Sequence, residues 1–384
     1  MSTDPNVYLD YNATAPARAE VIEAVAETLG LGATNASSVH ASGGAARKLI
    51  EAARASVAAL AGATPEQVIF TSGGTEANNA VLGGAGRPRI LVSAVEHSAV
   101  LRTALVRAGD CEVVPVDADG VIRLDKLDEL LAADGEPALV SVMAANNETG
   151  ALQPVAEVAR IARAHGALMH SDAVQAAGKI AIDLGAWNAD FLTLSAHKIG
   201  GPQGVGAVIA RDAQALRPMI LGGGQERGRR AGTENTAGIA GFGVAAELAV
   251  RELERSAAHM LKLRDALEAR LAEAVPGMTI FAGRAKRLPN TSCFTMPGVR
   301  NDTQVMALDL AGYEVSAGSA CSAGKVEPSH VLEAMGAADA DAIQAIRVSL
   351  GGGTRAEDVN GFAEAWLELW SRKGAGRATA SDAA

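Results

Sequence analysis

Three short segments carry residues of the kinds that bind phosphate, hold a cation or form a covalent bond. The first, TSGGTEAN at residues 71–78, follows an apolar stretch and precedes a helical pattern. Adjacent glycines let the backbone approach a ligand closely, and free N–H groups at a helix N-terminus favour an anion. The spacing is not that of a Rossmann or a Walker A loop. A phosphate cradle and an ordinary capped turn both fit this segment.

The other two segments are HSDAVQ at residues 170–175 and SAHKIGGP at residues 195–202. Asp172 comes just after an apolar strand, where a carboxylate is costly unless it meets a cation or a donor. A helix N-cap is the alternative role for this aspartate. Lys198 stands between a strand end and a glycine turn. A lysine can form a Schiff base in a partly desolvated site, although most lysines simply face solvent.

The combination of the three segments predicts a pyridoxal phosphate cofactor. Each segment lies at the end of a strand of one predicted parallel sheet, where such sheets bind ligands. Pyridoxal phosphate needs a lysine for its aldehyde, a carboxylate that keeps its pyridine nitrogen protonated, and a cradle for its phosphate. We therefore expect Lys198 to carry the cofactor as a Schiff base.

The pattern of apolar residues places these segments in an α/β fold. Strands are predicted at residues 68–70, 89–93, 112–116, 139–143, 167–170 and 191–194, with amphipathic helices between them, which indicates βαβ units. A long helix is predicted over 236–275, followed by a smaller α/β unit with strands near 292–294 and 345–348. We expect a large domain over 15–255, a small domain from 1–14 and 256–370, and a disordered tail over 371–384.

Composition excludes several classes of function. The 384 residues carry a net charge of −10, so nucleic-acid binding is not expected, and the basic run at 227–230 is interpreted as a salt-bridged or anion-facing loop. No apolar run is long enough to span a membrane, and no signal peptide is recognised. The three cysteines form neither a disulfide framework nor a paired metal-ligand spacing, which suits a reducing cytoplasm.

From YLDYNAT at residues 8–14 to about residue 351, the sequence resembles the class V aminotransferase group of fold-type I pyridoxal-phosphate enzymes. Within that group it is similar to the cysteine desulfurases of the NifS/IscS type. The resemblance implies a large domain with a mostly parallel central sheet plus a smaller α/β domain. It also implies L-cysteine as substrate, a homodimer with shared active sites, and an iron–sulfur scaffold protein or another sulfur acceptor as partner.

The resemblance assigns roles to individual residues. Those that it implies for cofactor binding are Gly74, Thr75, Ser195 and His197 on the phosphate, Thr233 on the phosphate of the other subunit, His97 stacked on the ring, Asn147 near it, Asp172 on the ring nitrogen, Gln175 on the phenolic oxygen, and Lys198. It implies that Arg347 binds the substrate carboxylate, with Asn147 nearby. His97 and Lys198 are the implied proton-transfer groups.

The cysteines separate members of the group. Cys111 and Cys293 stand in apolar strands and are interpreted as inert core thiols. Cys321 lies in SAGSACSAG at residues 316–324, a run of small residues that we expect to be a mobile loop able to reach into a site. This run resembles the desulfurase loop whose cysteine takes up sulfur as a persulfide, and it implies a transient iron–sulfur ligand as a further role of Cys321.

Two departures and two alternatives accompany this interpretation. Ser322 and Ala323 stand where Thr-Ser is expected, and the run at 222–233 is closer to the nitrogen-fixation form than to the housekeeping form. One alternative is a selenocysteine lyase or another enzyme of the class V aminotransferase fold. The other is a non-enzymatic binding protein that has kept the fold.

Overall fold

The structure is a computed structural model that describes residues 6–33, 35–107, 110–317 and 329–373. Its strands are β1 Val7–Tyr8, β2 Val68–Thr71, β3 Arg89–Ser93, β4 Asp110–Val114, β5 Ala138–Ser141, β6 Leu168–Asp172, β7 Phe191–Ser195, β8 Gly206–Ala210, β9 Thr291–Thr295, β10 Tyr313–Glu314 and β11 Ala345–Ser349. Its α-helices are α1 Ala19–Gly30, α2 Ala41–Leu60, α3 Gly74–Gly84, α4 Ser98–Arg107, α5 Leu124–Ala133, α6 Val155–Ala164, α7 Thr236–Ala274, α8 Asn301–Leu310, α9 His330–Ala334, α10 Asp339–Ala342 and α11 Ala356–Lys373.

Within the described residues, the central sheet has seven strands in the order β2-β8-β7-β6-β5-β3-β4. Every neighbouring pair is parallel except those of β8, which is antiparallel to both β2 and β7. The predicted mostly parallel sheet is therefore confirmed. The sequence did not predict β8, because its five small and aliphatic residues have no distinctive period. Its reversed direction follows from the direct connection to β7, since antiparallel neighbours need no crossover helix.

The two faces of the sheet bury alternate residues of each strand, as the two-residue period of a strand requires. On one face, Leu192 and Leu194 of β7 pack in a core with helices α2, α5, α6 and the first part of α7. On the other face, Phe191 packs with α3 and α4. The sheet is thus covered by helices on both sides, which places its ligand-binding edge at the carboxyl ends of the parallel strands.

A second core forms around Trp366, which packs edge-on against Phe294. It combines the second part of α7 with α8, α11 and two small strand pairs, parallel β1–β10 and antiparallel β9–β11. Helix α7 ends one residue before the predicted limit and contributes to both cores, Phe242 to the first and Leu267 to the second. The domain limit at residue 255 falls inside this helix and stays a prediction.

The end of the chain differs from the prediction. Helix α11 runs to Lys373, so residues 371–373, expected in a disordered tail, are helical. The buried stripe of α11 continues through Trp366 and Leu369, and Arg372 and Lys373 suit the negative end of a helix dipole. Residues 374–384 lie outside the described part of the chain. No helix of the described residues is long and apolar enough to cross a membrane.

Candidate active site

A cavity of about 380 Å³ opens at the carboxyl ends of β6 and β7. Its lining includes the residues that the sequence predicted around the cofactor and the substrate within one chain: Gly74, Thr75, His97, Asn147, Asp172, Gln175, Ser195, His197, Lys198 and Arg347. These residues belong to elements of both cores, so the cavity lies between the first core and the second core. Thr233 is exposed and is not part of this lining.

Lys198 ends a single 3₁₀ turn, Ala196–Lys198, that directly follows β7. Its Nζ donates to the backbone carbonyl oxygens of Asn12 at 2.6 Å and Ala13 at 2.7 Å. Burial, and to a smaller extent the charge of Arg347, lower the pKa of Lys198 to about 8 against the opposing charges of Asp10 and Asp172. A lysine with this pKa has a substantial neutral fraction near pH 8, which carbonyl chemistry requires.

Asp172 is the last residue of β6 and is 6% exposed. Its Oδ2 accepts a hydrogen bond from Asn78 Nδ2 at 2.7 Å, and its Oδ1 accepts one from the backbone N–H of Val174 at 3.0 Å. A buried carboxylate with two fixed donors is held in one orientation. The remaining lone pairs can accept a hydrogen from a cationic group in the cavity.

Gly74 begins α3, whose first-turn N–H groups have no partner inside the helix. A Cβ at this position would lie 3.0 Å from Val174 Cγ2 and 3.5 Å from Ser195 Cβ, so a side chain would fill the space in front of those N–H groups. Thr75, Ser195 and His197 line the same place. This cradle fits a phosphate group, because N–H dipoles and hydroxyl donors converge on an uncrowded space.

The two histidines of the cavity are held as neutral rings. Burial, together with the charges of Lys198 and Lys179, lowers the pKa of His197 to about 4. His197 Nδ1 lies 3.0 Å from Thr14 Oγ1. In His97, Nδ1 accepts the backbone N–H of Ala99 at 3.1 Å, so the proton of the neutral ring is on Nε2. Desolvation lowers the pKa of His97, although Asp172 opposes it.

Arg347 lies in β11 and reaches the cavity from the second core. Its Nη2 donates to Asp10 Oδ1 at 2.6 Å and its Nη1 to the carbonyl oxygen of Asn147 at 3.0 Å. The buried Nε has no partner among the described residues. The guanidinium is therefore fixed in place while keeping donor capacity, as a carboxylate-binding group requires.

Gln175 is oriented by a buried lysine that the sequence analysis did not single out. Lys179 Nζ donates to Gln175 Oε1 at 3.1 Å and to its carbonyl oxygen at 3.0 Å. Gln175 Nε2 donates to the carbonyl oxygen of Asn12 at 2.9 Å. Because the carbonyl oxygen of Asn12 only accepts, the NH₂ group of Gln175 must face it on the cavity side, and the amide oxygen must face Lys179.

Comparisons with known proteins identify the family of the chain. The family model described as aminotransferase class-V matches residues 7–362. The chain belongs to the aminotransferase class-V family. Curated relatives include the cysteine desulfurase IscS of Dictyoglomus turgidum, 41% identical and covering 92% of both chains, and the IscS-like cysteine desulfurase of Mycobacterium tuberculosis, 42% identical and covering 93% of this chain and 94% of the relative.

Solved structures give the same result for the fold. A NifS-like protein from Rickettsia africae superposes with a TM-score of 0.89 at 37% identity, over 95% of this chain and 99% of the other. A second NifS-like protein gives a TM-score of 0.87 at 38% identity, with the same coverage. The fold-type I architecture predicted from the sequence is therefore confirmed, and enzymes of the class-V family depend on pyridoxal phosphate.

The N-terminal motif shared with the class-V family contains contacts that the sequence analysis missed. Asp10 holds Arg347, and the carbonyl oxygen of Asn12 accepts from both Lys198 and Gln175. Asn12 is itself fixed by Thr291 Oγ1 at 2.9 Å and by Asn290. The motif was recognised as characteristic, but nothing in its local sequence indicates which distant residues its members contact.

Cys321 lies outside the described residues, so its predicted place at the site is not tested. The described residues on either side of it contact the cavity or its surroundings. Ser316 lines the cavity and pairs with the backbone of Arg347, and Ser329 donates to the buried Glu148 at 2.5 Å. Chain on both sides of Cys321 is thus anchored near the cavity.

The other cysteines are poor nucleophiles. Cys293 is buried in β9, and burial raises the pKa of its thiol. Cys111 is partly exposed, because β4 is an edge strand of the sheet, but it packs against the core on the face that α3 covers. Its pKa is also raised, chiefly by desolvation. Among the described residues, no group of three or more histidine, cysteine, aspartate or glutamate side chains could hold a metal ion.

The basic run at 227–230 forms ion pairs, as one of its two interpretations predicted. Arg230 Nε lies 2.9 Å from Glu76 Oε1, and Arg227 lies 3.9 Å from Glu51.

A larger cavity of about 690 Å³ also reaches Lys198, but its lining includes neither Asp172 nor Gly74. The smaller cavity is therefore the one whose residues match the cofactor.

Proposed function

We propose that this protein is a pyridoxal-phosphate-dependent cysteine desulfurase, which takes sulfur from L-cysteine and releases L-alanine. The observation that carries the proposal is the meeting of Lys198, Asp172 and the open cradle at Gly74 around one cavity, with Arg347 on its wall. Relatives named cysteine desulfurase, 40–44% identical over most of the chain, support the choice of substrate.

When bound, pyridoxal phosphate supplies an electron sink that weakens bonds near the Cα of an amino acid. The cradle of Gly74, Thr75, Ser195 and His197 would hold its phosphate, and Lys198 would hold its aldehyde carbon. Asp172 would accept a hydrogen bond from the ring nitrogen. Gln175 would present its NH₂ group to the phenolic oxygen. Each assignment uses the donor or acceptor that the geometry leaves free.

The substrate is held and deprotonated by groups of the same cavity. Arg347 binds its carboxylate, with Asn147 beside it. Lys198, whose pKa is lowered to about 8, would take the Cα proton as a neutral amine. The neutral His97 carries its proton on Nε2 and provides a second group for proton transfer, to or from the substrate thiol.

Cys321 receives the sulfur. Its thiolate attacks the substrate sulfur, so that an S–S bond forms while the Cβ–S bond breaks, and the electron pair left on carbon takes up a proton to give alanine. A thiol with the ordinary pKa of roughly 8.5 is ionised to thiolate only to a small extent at neutral pH. The persulfide on Cys321 then passes sulfur to an acceptor, such as an iron–sulfur scaffold protein in the cytoplasm.

The functional unit is a homodimer with shared sites. Thr233 is exposed and absent from the cavity lining of its own chain, as a residue that contacts the phosphate in a partner subunit would be. Light scattering should give twice the chain mass of 39.0 kDa. A monomer that is fully active would contradict shared sites.

The activity is tested by incubating the purified, cofactor-loaded protein with L-cysteine and a thiol and measuring alanine and sulfide together. We expect equal amounts of both products, and neither from Lys198→Ala. A protein that binds no cofactor would support the binding-protein alternative. Retention of full L-cysteine turnover by Cys321→Ser would support the selenocysteine-lyase alternative, which needs no cysteine of the enzyme.

A further inference from the structure

A continuous chain of polar side chains lies behind Asp172, on the face of the sheet that α3 covers. Asn78 Nδ2 lies 2.7 Å from Asp172 Oδ2, and Thr193 Oγ1 lies 2.6 Å from Asn78 Oδ1. His170 Nε2 lies 3.2 Å from Thr193 Oγ1. Ser141 Oγ lies 2.8 Å from His170 Nδ1.

All four supporting residues are fully buried. Asn78 is 1% exposed, and Ser141, His170 and Thr193 are 0% exposed. Strand register explains how they meet, since Ser141 of β5 is paired with His170 of β6, and Asp172 of β6 with Thr193 of β7. Buried polar groups are costly unless each finds a hydrogen-bond partner, and this chain provides one for each member.

The direction of every hydrogen bond follows from the carboxylate. Asp172 accepts from the NH₂ group of Asn78, so the amide oxygen of Asn78 faces Thr193. The Thr193 hydroxyl must then donate to that oxygen and accept from His170 Nε2–H. This leaves His170 Nδ1 without a hydrogen, and Ser141 donates to it. All the hydrogens of the chain therefore point towards Asp172.

The polarity is confined to the end of the face nearest the cavity. Two residues earlier on the same strands and the same face, Leu139, Leu168 and Phe191 pack in an apolar core. A face that only needed filling would have continued with such residues. A neutral His170 fits the assigned hydrogen positions, and burial lowers the pKa of that ring to about 3.

We propose that Asn78, Thr193, His170 and Ser141 are positioning residues that keep Asp172 ionised and aimed at the ring nitrogen of the cofactor. The proposal rests on the proposed function for the identity of the group that Asp172 meets. Hydrogen bonds that are aligned towards a buried anion stabilise it, and each one polarises the next. Asp172 is thus held as an acceptor in one orientation.

The first test uses the protein without cofactor, so it does not depend on the proposed function. In protein labelled with ¹⁵N-histidine, the nitrogen shifts of His170 report its hydrogen positions. We expect a neutral ring at pH 6 with the hydrogen on Nε2. A ring protonated at pH 6, or one with its hydrogen on Nδ1, would overturn the proposed direction of the chain.

The second test compares Thr193→Val, which keeps the shape but removes the hydroxyl, with Thr193→Ser, which restores it. The readouts are the dissociation constant of the cofactor and the shift of its ring nitrogen in protein loaded with ¹⁵N-labelled pyridoxal phosphate. We expect Thr193→Val to weaken binding about tenfold and to move the ring nitrogen towards its neutral form. Thr193→Ser should resemble the parent in both readouts.

Ser171→Ala is the matched control. Ser171 stands between His170 and Asp172, is equally buried, and its hydroxyl has no partner among the described residues. Its loss should leave both readouts unchanged. A protonated ring nitrogen in Thr193→Val, or an equal change in Ser171→Ala, would overturn the positioning role. Failure of the parent protein to bind the cofactor would instead contradict the proposed function.

Discussion

Asp10 and Arg347, from opposite ends of the chain, form an ion pair at the cavity, with 2.6 Å between Asp10 Oδ1 and Arg347 Nη2. The arginine side chain is only 6% exposed and that of the aspartate 19%. The pair fixes the guanidinium through one of its terminal nitrogens and so leaves other donors for a ligand. It also joins the N-terminal segment to β11 of the second core.

Replacing Arg347 should impair substrate binding more than cofactor binding. Lysine keeps the charge but cannot donate two parallel hydrogen bonds to a carboxylate. Hydrogen bonds to charged groups contribute about 1.5–3 kcal/mol, so Arg347→Lys should raise KM for L-cysteine about tenfold or more. Steady-state kinetics measure this change. The control Arg287→Lys alters a buried arginine paired with Glu268 outside the cavity lining, and an equal rise there would contradict the assignment.

Attachment of the cofactor to the apoprotein should depend on pH through Lys198. Burial lowers the pKa of its amine to about 8, so the reactive neutral form accumulates as the pH rises through that value. The rate of appearance of the bound cofactor's visible absorbance should rise from pH 6 and level off above about pH 9.

The charge of Arg347 provides a check on this prediction, because it is one of the causes of the lowered pKa. The variant Arg347→Met should therefore move the midpoint of the attachment rate to higher pH. A midpoint that is unchanged in Arg347→Met, or a parent rate that is independent of pH, would refute the origin proposed for the reactivity of Lys198.

Substitution of Gly74 should close the phosphate cradle. The added Cβ of Gly74→Ala would lie 3.0 Å from Val174 Cγ2, in front of the free N–H groups of α3. Loss of one hydrogen bond to the phosphate should weaken cofactor binding about tenfold or more. Gly44→Ala is the control, since Gly44 lies in helix α2 with nothing within 4 Å of an added Cβ. Equal affinity of the two variants, measured by titration, would count against the cradle.

Much of the site could be predicted because its residues follow strongly periodic strands. Asp172 and Lys198 each stand at the end of a buried strand, and parallel strands bring those ends to one edge. The partners of these residues could not be predicted. Asp10 is 337 residues from Arg347, and Asn78 reaches Asp172 from a different element. Such contacts depend on tertiary packing, which leaves no local pattern in the sequence.

The reversed strand β8 shows the same limit at the level of the fold. Its residues Gly206–Ala210 are as buried as those of the parallel strands, so burial alone does not give its direction. A tertiary contact requires glycine at position 206, because a Cβ there would lie 2.6 Å from the backbone of Gly73 beside the cradle. The sequence shows a glycine at this position, but only the fold shows that a side chain there would clash with the backbone of Gly73.

Lys179 should make stability depend on pH. It is fully buried, and desolvation lowers its pKa from 10.5 to about 7. Between pH 7 and about 10.5 the unfolded chain binds a proton that the folded protein does not, so this lysine makes the folded state more stable as the pH rises.

The variant Lys179→Met lacks that contribution. Urea unfolding at pH 6.5 and 9.5 should show that the parent gains stability relative to Lys179→Met at the higher pH. The same comparison with Lys126→Met, an exposed lysine paired with Glu129, should show little change. A parent protein that loses stability relative to Lys179→Met as the pH rises would contradict the buried, neutral lysine.

The central claim is that sulfur from L-cysteine is taken up by Cys321. Protein exposed to a slight excess of L-cysteine, without added thiol, can be digested and its cysteine peptides weighed by mass spectrometry. We expect one added sulfur atom on the peptide of Cys321 and none on those of Cys111 and Cys293, with one alanine formed per sulfur. Formation of alanine while the peptide of Cys321 stays unmodified would contradict the uptake of sulfur by Cys321.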